Sequence, residues 1–230
     1  MAMQNKLISF TLFGQDPKYY VGAEKNLILQ KNLLPDWSTR IYYHPSLTDS
    51  SRFHVLQDLG AELIDVSDEV RGGKHSIEFP YFWRFFPFEE EGSLCIVRDL
   101  DSRLSNREVE YVRRWEESDR TFFIIRDHPW QSPVPSGLFG MRNRDNSFKK
   151  HFNSFMERST LGWGTDQEIL HEYIQQKSAE DIDYFGYDKP ESYIVRDDST
   201  FFIGIQLDEN DKPTEPSGRL SVQYINEIGL

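Results

Sequence analysis

The chain has a single cysteine, Cys95, among its 230 residues. No disulfide can form within it, a cysteine-based zinc site is excluded, and this usage fits a reducing compartment. Long apolar runs are missing as well: no uncharged stretch approaches the roughly 18 residues of a membrane-spanning helix. The apolar stretch Leu7 to Phe13 is too short for the core of a secretory leader with its cleavage site. We therefore expect a soluble, cytoplasmic protein with no membrane span. Cations are scarce, with 26 Lys and Arg against 38 Asp and Glu and a formal net charge of −12. General binders of phosphate backbones are normally basic, so nucleic acid is not expected as a main partner. Any anionic ligand must be met by a local basic patch or a metal, because the overall field repels it.

What the chain does have is aromatics: 17 Phe, 11 Tyr and 5 Trp, many clustered. Most should be core; clustered rings also suit sugar and base pockets. The length suffices for one domain, residues 1–230, with a polar extension or lid from about residue 181. Hydrophobic spacing places strands at 6–13, 39–44 and 61–66, alternating with helices at 17–34 and 50–59. This opening predicts an α/β fold with a mixed, mostly parallel sheet flanked by helices on both faces. A Gly72-Gly73 loop and an aromatic helix, 79–88, follow. Next come strand 94–97, helix 105–117, strand 121–125, a possible short strand at 137–141, and helices near 145–157 and 165–176. Ser105 and Glu108 form a capping box at the start of helix 105–117.

Asp99-Leu100-Asp101 sits at the carboxyl end of strand 94–97, which is where open α/β sheets bind ligands. Residues two apart in an extended segment point the same way, so both carboxylates can face one site. A hard cation such as Mn²⁺ or Mg²⁺ takes one or two such carboxylates and completes its shell with phosphate oxygens and water. Alone the motif is weak. With 19 Asp in the chain, chance supplies roughly one or two such pairs, and a solvated turn is the alternative reading. A second match, Asp181-Ile182-Asp183, reads as an accident.

Three further clusters accompany the pair. Arg84 lies in Tyr81-Phe82-Trp83-Arg84-Phe85-Phe86; a cation there must reach the surface or meet an anion. Arg98 and Arg103 flank the acidic pair, and the three arginines suit either phosphates or ordinary ion pairs. Arg126-Asp127-His128-Pro129-Trp130 follows another strand end and suits acceptor binding or proton transfer. His128 reads either as a third metal ligand or as a loop residue, and Gly137 and Gly140 offer close backbone approach. Asp166 and Gln167 open a helix; Asp166 is either a site carboxylate or a first-turn acid favoured by the helix dipole.

In this order, the motifs resemble those of GT-A-fold (Rossmann-like) glycosyltransferases, in particular the small family from large chlorella viruses and its bacterial relatives. The residues that carry the resemblance are Ser9 to Gly14 with Pro17-Lys18-Tyr19, Phe82-Trp83-Arg84-Phe85, Arg98 to Arg103 with Arg107-Glu108, Arg126-Asp127-His128-Pro129, and Asp166-Gln167. They span roughly residues 8–170. The resemblance implies a metal-dependent enzyme moving a sugar from a nucleoside-diphosphate donor, UDP-linked, to a hydroxyl of a glycan or glycoprotein, with Mn²⁺ or Mg²⁺ bound. It implies Asp101 as metal ligand and Asp99 as a ligand of metal or ribose. Donor contacts would come from Thr11, Leu12, Phe13, Gly14, Arg84, Arg98, Gly137 and Gln167, and Asp127 and Asp166 would face the transferred sugar as the catalytic candidates. A viral member would act in its host's cytoplasm. The chain departs from the family at Gln131-Ser132, where relatives carry a second histidine, and at Ser136-Gly137-Leu138-Phe139-Gly140, which replaces a Gly-Gly-Met-Trp-Gly-like segment.

Two other classes compete. Phosphatases with an aspartyl nucleophile also use Asp-x-Asp after a strand. They place it near the N-terminus with a small hydroxyl residue two positions on, where this chain has Arg103. A carbohydrate-binding module that keeps the fold without catalysis is the third reading.

Overall fold

The β-branched and aromatic run near the start forms β1 (Asn5–Leu12), and Gly14 beyond it adopts a left-handed φ of +82° that ends the strand. Asp16 then caps α1 (Pro17–Leu33) by accepting from the Lys18 N–H at 3.0 Å, with Pro17 preset for the first turn. The chain continues through β2 (Ser38–Tyr43), α2 (Phe53–Asp58), β3 (Ala61–Asp65) and α3 (Ser67–Arg71). After these come β4 (Ser93–Arg98), α4 (Asn106–Glu117), β5 (Phe122–Arg126), β6 (Leu138–Arg142), α5 (Ser147–Arg158), α6 (Thr165–Gln175) and β7 (Ile182–Gly186). The structure, a computed structural model, describes residues 5–71, 77–158, 160–189 and 201–215. The Gly72-Gly73 loop and residues 190–200 and 216–230 of the expected C-terminal extension lie outside the described residues.

The seven strands form one sheet in the order β3-β2-β1-β4-β6-β5-β7. All pairings are parallel except those of β6, which runs antiparallel to both β4 and β5. Alternation along the strands splits the core. Ile8, Phe10, Ile96, Phe123 and Ile125 face α1 and α4, burying Leu27, Tyr111 and Trp115. Leu7, Cys95, Val97, Phe122 and Ile124 face the other way, against Phe82, Phe85, Phe88, α5 and α6. Both faces of the sheet are thus covered by helical segments, as the sequence pattern predicts. Phe88 is the hub of the second face, meeting Phe139 and Phe148 edge-on at 5.5 and 5.2 Å. Each such fully buried ring contributes on the order of 2–3 kcal/mol by burial.

Three sequence expectations change. Pro80–Glu89 is a run of 3-10 turns, not an α-helix; Pro87 inside it has no N–H to give, and the tighter turns still bury rings on several sides. The expected helix at 50–59 divides into a 3-10 turn, Ser50–Arg52, and the short α2. Asp49 accepts from the Ser51 N–H at 2.9 Å and tightens that start. Finally, Asp181-Ile182-Asp183 leads into β7, a strand absent from the sequence reading. Asp183 there bonds Ser118 and pairs with Arg120 at 3.3 Å, so this second Asp-x-Asp holds an edge strand.

Candidate active site

The sheet's connections reverse direction at β1. The chain winds outward through β2 and β3, then crosses back to β4 on the opposite side of β1. The carboxyl ends of β1 and β4 therefore border a crevice. A cleft of about 670 Å³ opens there, within the usual range for small-molecule sites. Thr11, Phe13 and Gly14 from β1 and its loop form one side; Asp99 and Asp101 from the end of β4 form the other.

The loop after β4 is held from three directions. Arg98 is fully buried, donates to the Gly137 carbonyl at 2.9 Å and to the Arg103 carbonyl at 3.2 Å, and lies 2.9 Å from Glu108 of α4 in an ion pair. Asn26, buried in α1, donates to the Ser102 carbonyl at 2.7 Å and accepts from the Leu104 N–H at 3.0 Å. Gly22 of α1 sits so close that a Cβ there would lie 1.8 Å from the Leu100 carbonyl oxygen. From the far end of the chain, the Leu207 N–H donates to the Asp101 carbonyl at 2.6 Å.

Around this loop the carboxylates meet cations. Arg84 bonds Asp99 through one guanidinium nitrogen, and through the other it donates to Asp166 at 2.6 Å and to the Ser136 hydroxyl at 2.9 Å. Ser136 also donates to Asp166 at 2.7 Å. Burial opposes the charge on Arg84, but Asp99 and Asp166 outweigh it and raise its pKa. Lys18 approaches Asp101 to 3.3 Å. Burial pushes the Asp101 carboxyl above its ordinary range and Asp99 adds to this, while Lys18 pulls it back. The Lys18 ammonium loses some stability to burial yet ends raised, through Asp101. The attraction acts on both partners, and on Asp101 burial outweighs it. Gly137 completes the packing, since a Cβ on it would fall 1.9 Å from Asp99 Oδ2.

The sequence-predicted residues divide accordingly. Thr11, Phe13, Gly14, Arg84, Arg98, Asp99, Asp101, Asp166 and Gln167 all line the cleft. Gly137 lines an adjoining one, together with Asp99, Gln167 and His128. The Thr11 hydroxyl, on the cleft wall, is buried without a hydrogen-bond partner among the described residues. Leu12 requires correction: it is wholly in the core and lines neither cleft. Arg84 and Arg98 line the cleft as expected, with their Nη groups bonded to protein: those of Arg84 to Asp99, Asp166 and Ser136, those of Arg98 to the Gly137 and Arg103 carbonyls. Asp127 is the largest revision. It is fully buried and lines neither cleft, bonding Arg107 and accepting from the Ile203 N–H at 2.6 Å. A carboxylate shut in by a guanidinium and a backbone N–H has a structural role, joining β5 to the 201–207 segment. His128 stacks on Phe202 at 4.6 Å. Among the described residues no three His, Cys, Asp or Glu side chains converge as a metal set, so His128 is not brought to the acidic pair.

Sequence reasoning passed over Gly22, Asn26 and Gln206. An asparagine and a glycine on the apolar stripe of α1 were the available signal, because a buried polar side chain needs a partner. For Gln206, which lines both clefts, no local signal exists.

Comparison with known proteins defines the fold. No family model matches the chain, and no curated protein matches it either. Among solved structures, glucosyl-3-phosphoglycerate synthase from Mycobacterium tuberculosis, in complex with phosphoglyceric acid, is similar at TM-score 0.52 and 11% identity, over 80% of this chain and 70% of that one. The 4-diphosphocytidyl-2C-methyl-D-erythritol synthase from Anaerococcus prevotii is similar at TM-score 0.51 and 6% identity, over 97% of this chain and 99% of that one. A glycosyltransferase involved in the glycosylation of the major capsid of PBCV-1 has a looser likeness, at TM-score 0.44 and 12% identity over 79% and 81% of the two chains. The chain thus has the GT-A-like, Rossmann-like fold that its motifs led us to expect.

Proposed function

We propose that this chain is a metal-dependent glycosyltransferase that moves a sugar from a nucleoside-diphosphate sugar, UDP-linked, to a hydroxyl of a glycan or glycoprotein acceptor. The observation that carries the reading is the convergence of Asp99, Asp101 and Asp166 around one cleft at the point where the sheet's connections reverse. The residues present fit a divalent cation. Asp99 and Asp101 supply hard oxygen ligands, and both already face cationic groups, Arg84 and Lys18. They would hold Mn²⁺ or Mg²⁺, which when bound neutralises the charge developing on the departing diphosphate.

The chain's own residues supply the rest. Phe13 and Tyr19, stacked at 6.1 Å, wall the end of the cleft beside Thr11 and suit a nucleoside base and ribose. Arg84 and Ser136 fix Asp166 beside the transferred sugar. In transfer the acceptor hydroxyl loses its proton and its oxygen bonds the anomeric carbon. The nucleoside diphosphate leaves with the electrons of the broken bond. For an inverting reaction Asp166 is the carboxylate placed to take the proton. We propose a single domain over residues 1–230 on the ground of its length; a cytoplasmic setting, a host's if the chain is viral, accords with the one buried cysteine.

The fold alone does not select this reaction, since a 4-diphosphocytidyl-2C-methyl-D-erythritol synthase shares it. The test is a hydrolysis assay with UDP-sugars and Mn²⁺, alongside calorimetry of UDP binding. Metal-dependent UDP release that Asp101→Asn abolishes, with the fold intact, is the expected result. Phosphate release from a monoester would instead identify a phosphatase, and neither activity would leave a binding module.

A further inference from the structure

A second cleft, of about 520 Å³, adjoins the first. The two share Asp99, Ser136, Trp163, Gly164, Gln167 and Gln206, so they meet at Asp99 and continue past it. Two tryptophans border this second cleft, and they are far more exposed than any other large apolar side chain described: Trp130 at 71% and Trp163 at 97%. Isolated exposed apolar residues are ordinary on a protein surface; two indoles on one cleft are not.

Both indoles stand on braced backbone. The Trp130 N–H donates to His128 Nδ1 at 3.1 Å. Gln131 beside it accepts from the N–H groups of Asp127 and His128 and donates to the Ile203 carbonyl at 2.8 Å. Trp163 lies between Gly162, whose N–H and carbonyl both bond the Thr165 hydroxyl, and Gly164, whose φ of +86° starts α6. The Tyr81 hydroxyl bonds the same Gly162 carbonyl at 2.5 Å. An exposed ring on a fixed backbone loses little entropy on stacking, which is the property of a binding platform.

The walls between the indoles specify what would stack there. Gln167 and Gln206 supply amides, Ser136 a hydroxyl, His128 an imidazole and Asp99 a carboxylate; among the described residues no lysine or arginine lines the cleft. Flat apolar faces beside neutral hydrogen-bonding groups match a pyranose ring, with its C–H face and its rim of hydroxyls. Asp99 is already paired with Arg84, so an anionic sugar would find among the described lining no lysine or arginine left to pair with it, inside a protein of net charge −12. Resting on the glycosyltransferase reading above, we infer that this second cleft is the acceptor subsite and that it takes a neutral pyranose of a glycan, stacked on Trp130 and Trp163. The shared wall then brings an acceptor hydroxyl to Asp99 and to Ser136, which bonds Asp166 at 2.7 Å, beside where the donor's sugar would lie.

The experiment is a glycan microarray of neutral and acidic oligosaccharides, probed with the labelled full chain in the presence of Mn²⁺ and UDP. Wild-type protein should retain neutral pyranosides and bind their sialylated or uronic-acid counterparts at least tenfold more weakly. Trp130→Ala and Trp163→Ala should each reduce retention tenfold or more, and Trp→Phe at either position should restore part of it. Ile28→Ala, an exposed apolar residue on α1 outside both clefts, controls for general loss of surface stickiness and should change nothing. Circular-dichroism melts of each variant separate misfolding from lost binding. No glycan retained by the wild type, a preference for acidic glycans, or retention indifferent to both tryptophans would overturn the inference. Calorimetry of UDP with Mn²⁺ on the wild type reads the donor site separately. Tryptophan-dependent glycan retention without UDP binding would support the sugar subsite and sink the donor reading instead.

Discussion

Arg84 Nη2 lies 2.6 Å from Asp166 Oδ2, joining residues 82 positions apart in the sequence. The same guanidinium bonds Asp99. One buried arginine thus sets the separation between the proposed metal-binding carboxylate and the proposed catalytic one, and ties together residues on three separate elements. Arg84→Met should remove that spacer and leave two carboxylates facing each other. Breaking a buried charge pair from one side costs about 3–5 kcal/mol, and partial exposure of Asp99 places this case at the lower end. Urea denaturation should show the loss, and UDP-sugar turnover should fall by more than the folded fraction explains.

Asp166→Asn tests chemistry apart from binding. The amide keeps the shape and still accepts from Ser136 and Arg84, but it takes no proton. Calorimetry should find UDP affinity in the presence of Mn²⁺ close to wild type, while transfer falls by about 10²–10⁴-fold if Asp166 is the base. Full activity would remove it from the catalytic list.

Lys18→Met removes the ammonium that faces Asp101 at 3.3 Å. The lysine and a divalent cation compete for one carboxylate, so removing the lysine should tighten Mn²⁺ binding several-fold. Electron paramagnetic resonance of free Mn²⁺ measures this without any turnover. Weaker Mn²⁺ binding would show that Lys18 assists the site.

Gly22→Ala should act at a distance. Its Cβ would press on the Leu100 carbonyl at 1.8 Å, so α1 or the acidic loop must shift. Overpacking of this kind costs about 1–3 kcal/mol. A lowered melting temperature together with weaker metal-dependent UDP binding is expected, because the displaced backbone carries both acidic residues.

Stability at low pH should depend on Asp36. The Arg113 guanidinium chiefly, with Lys6 adding and partial burial opposing, holds its carboxyl well below the usual range. A depressed folded-state pKa stabilises the protein above the unfolded value of about 3.9, and this contribution is lost as pH falls through that region. The side chain is 43% exposed, so screening limits the effect to about 0.5–1 kcal/mol. Asp36→Asn should flatten the acid limb of a stability–pH profile by that amount and leave neutral-pH turnover unchanged.

Much of this architecture is legible in one dimension. Apolar, β-branched and aromatic runs such as Leu7 to Leu12 mark strands, and the capping box of Ser105 and Glu108 marks a helix start, because both depend on neighbouring residues only. Asp99 and Asp101 are legible for the same reason: their common direction follows from an extended backbone at a strand end. Asp127 was misplaced because local sequence shows a carboxylate after a strand but not Arg107 and the Ile203 N–H closing over it. β7 escaped notice because its strand character comes from pairing with β5, 60 residues earlier at Phe122↔Ile182.

The sequence by itself determined the alternation of strands and helices, the acidic pair at a strand end, and the absence of disulfides. These depend on periodicity and composition, which act over a few residues. Only the tertiary structure decided which charges face the cleft and which are sealed beneath it. Asp166 and Asp127 look alike on paper, each a carboxylate in a polar stretch beside a structural boundary. What separates them is the neighbour that long-range packing delivers: Arg84 at the edge of an open cleft for one, Arg107 in a closed core for the other. Desolvation and pairing act through space, so no reading of local spacing could have told them apart.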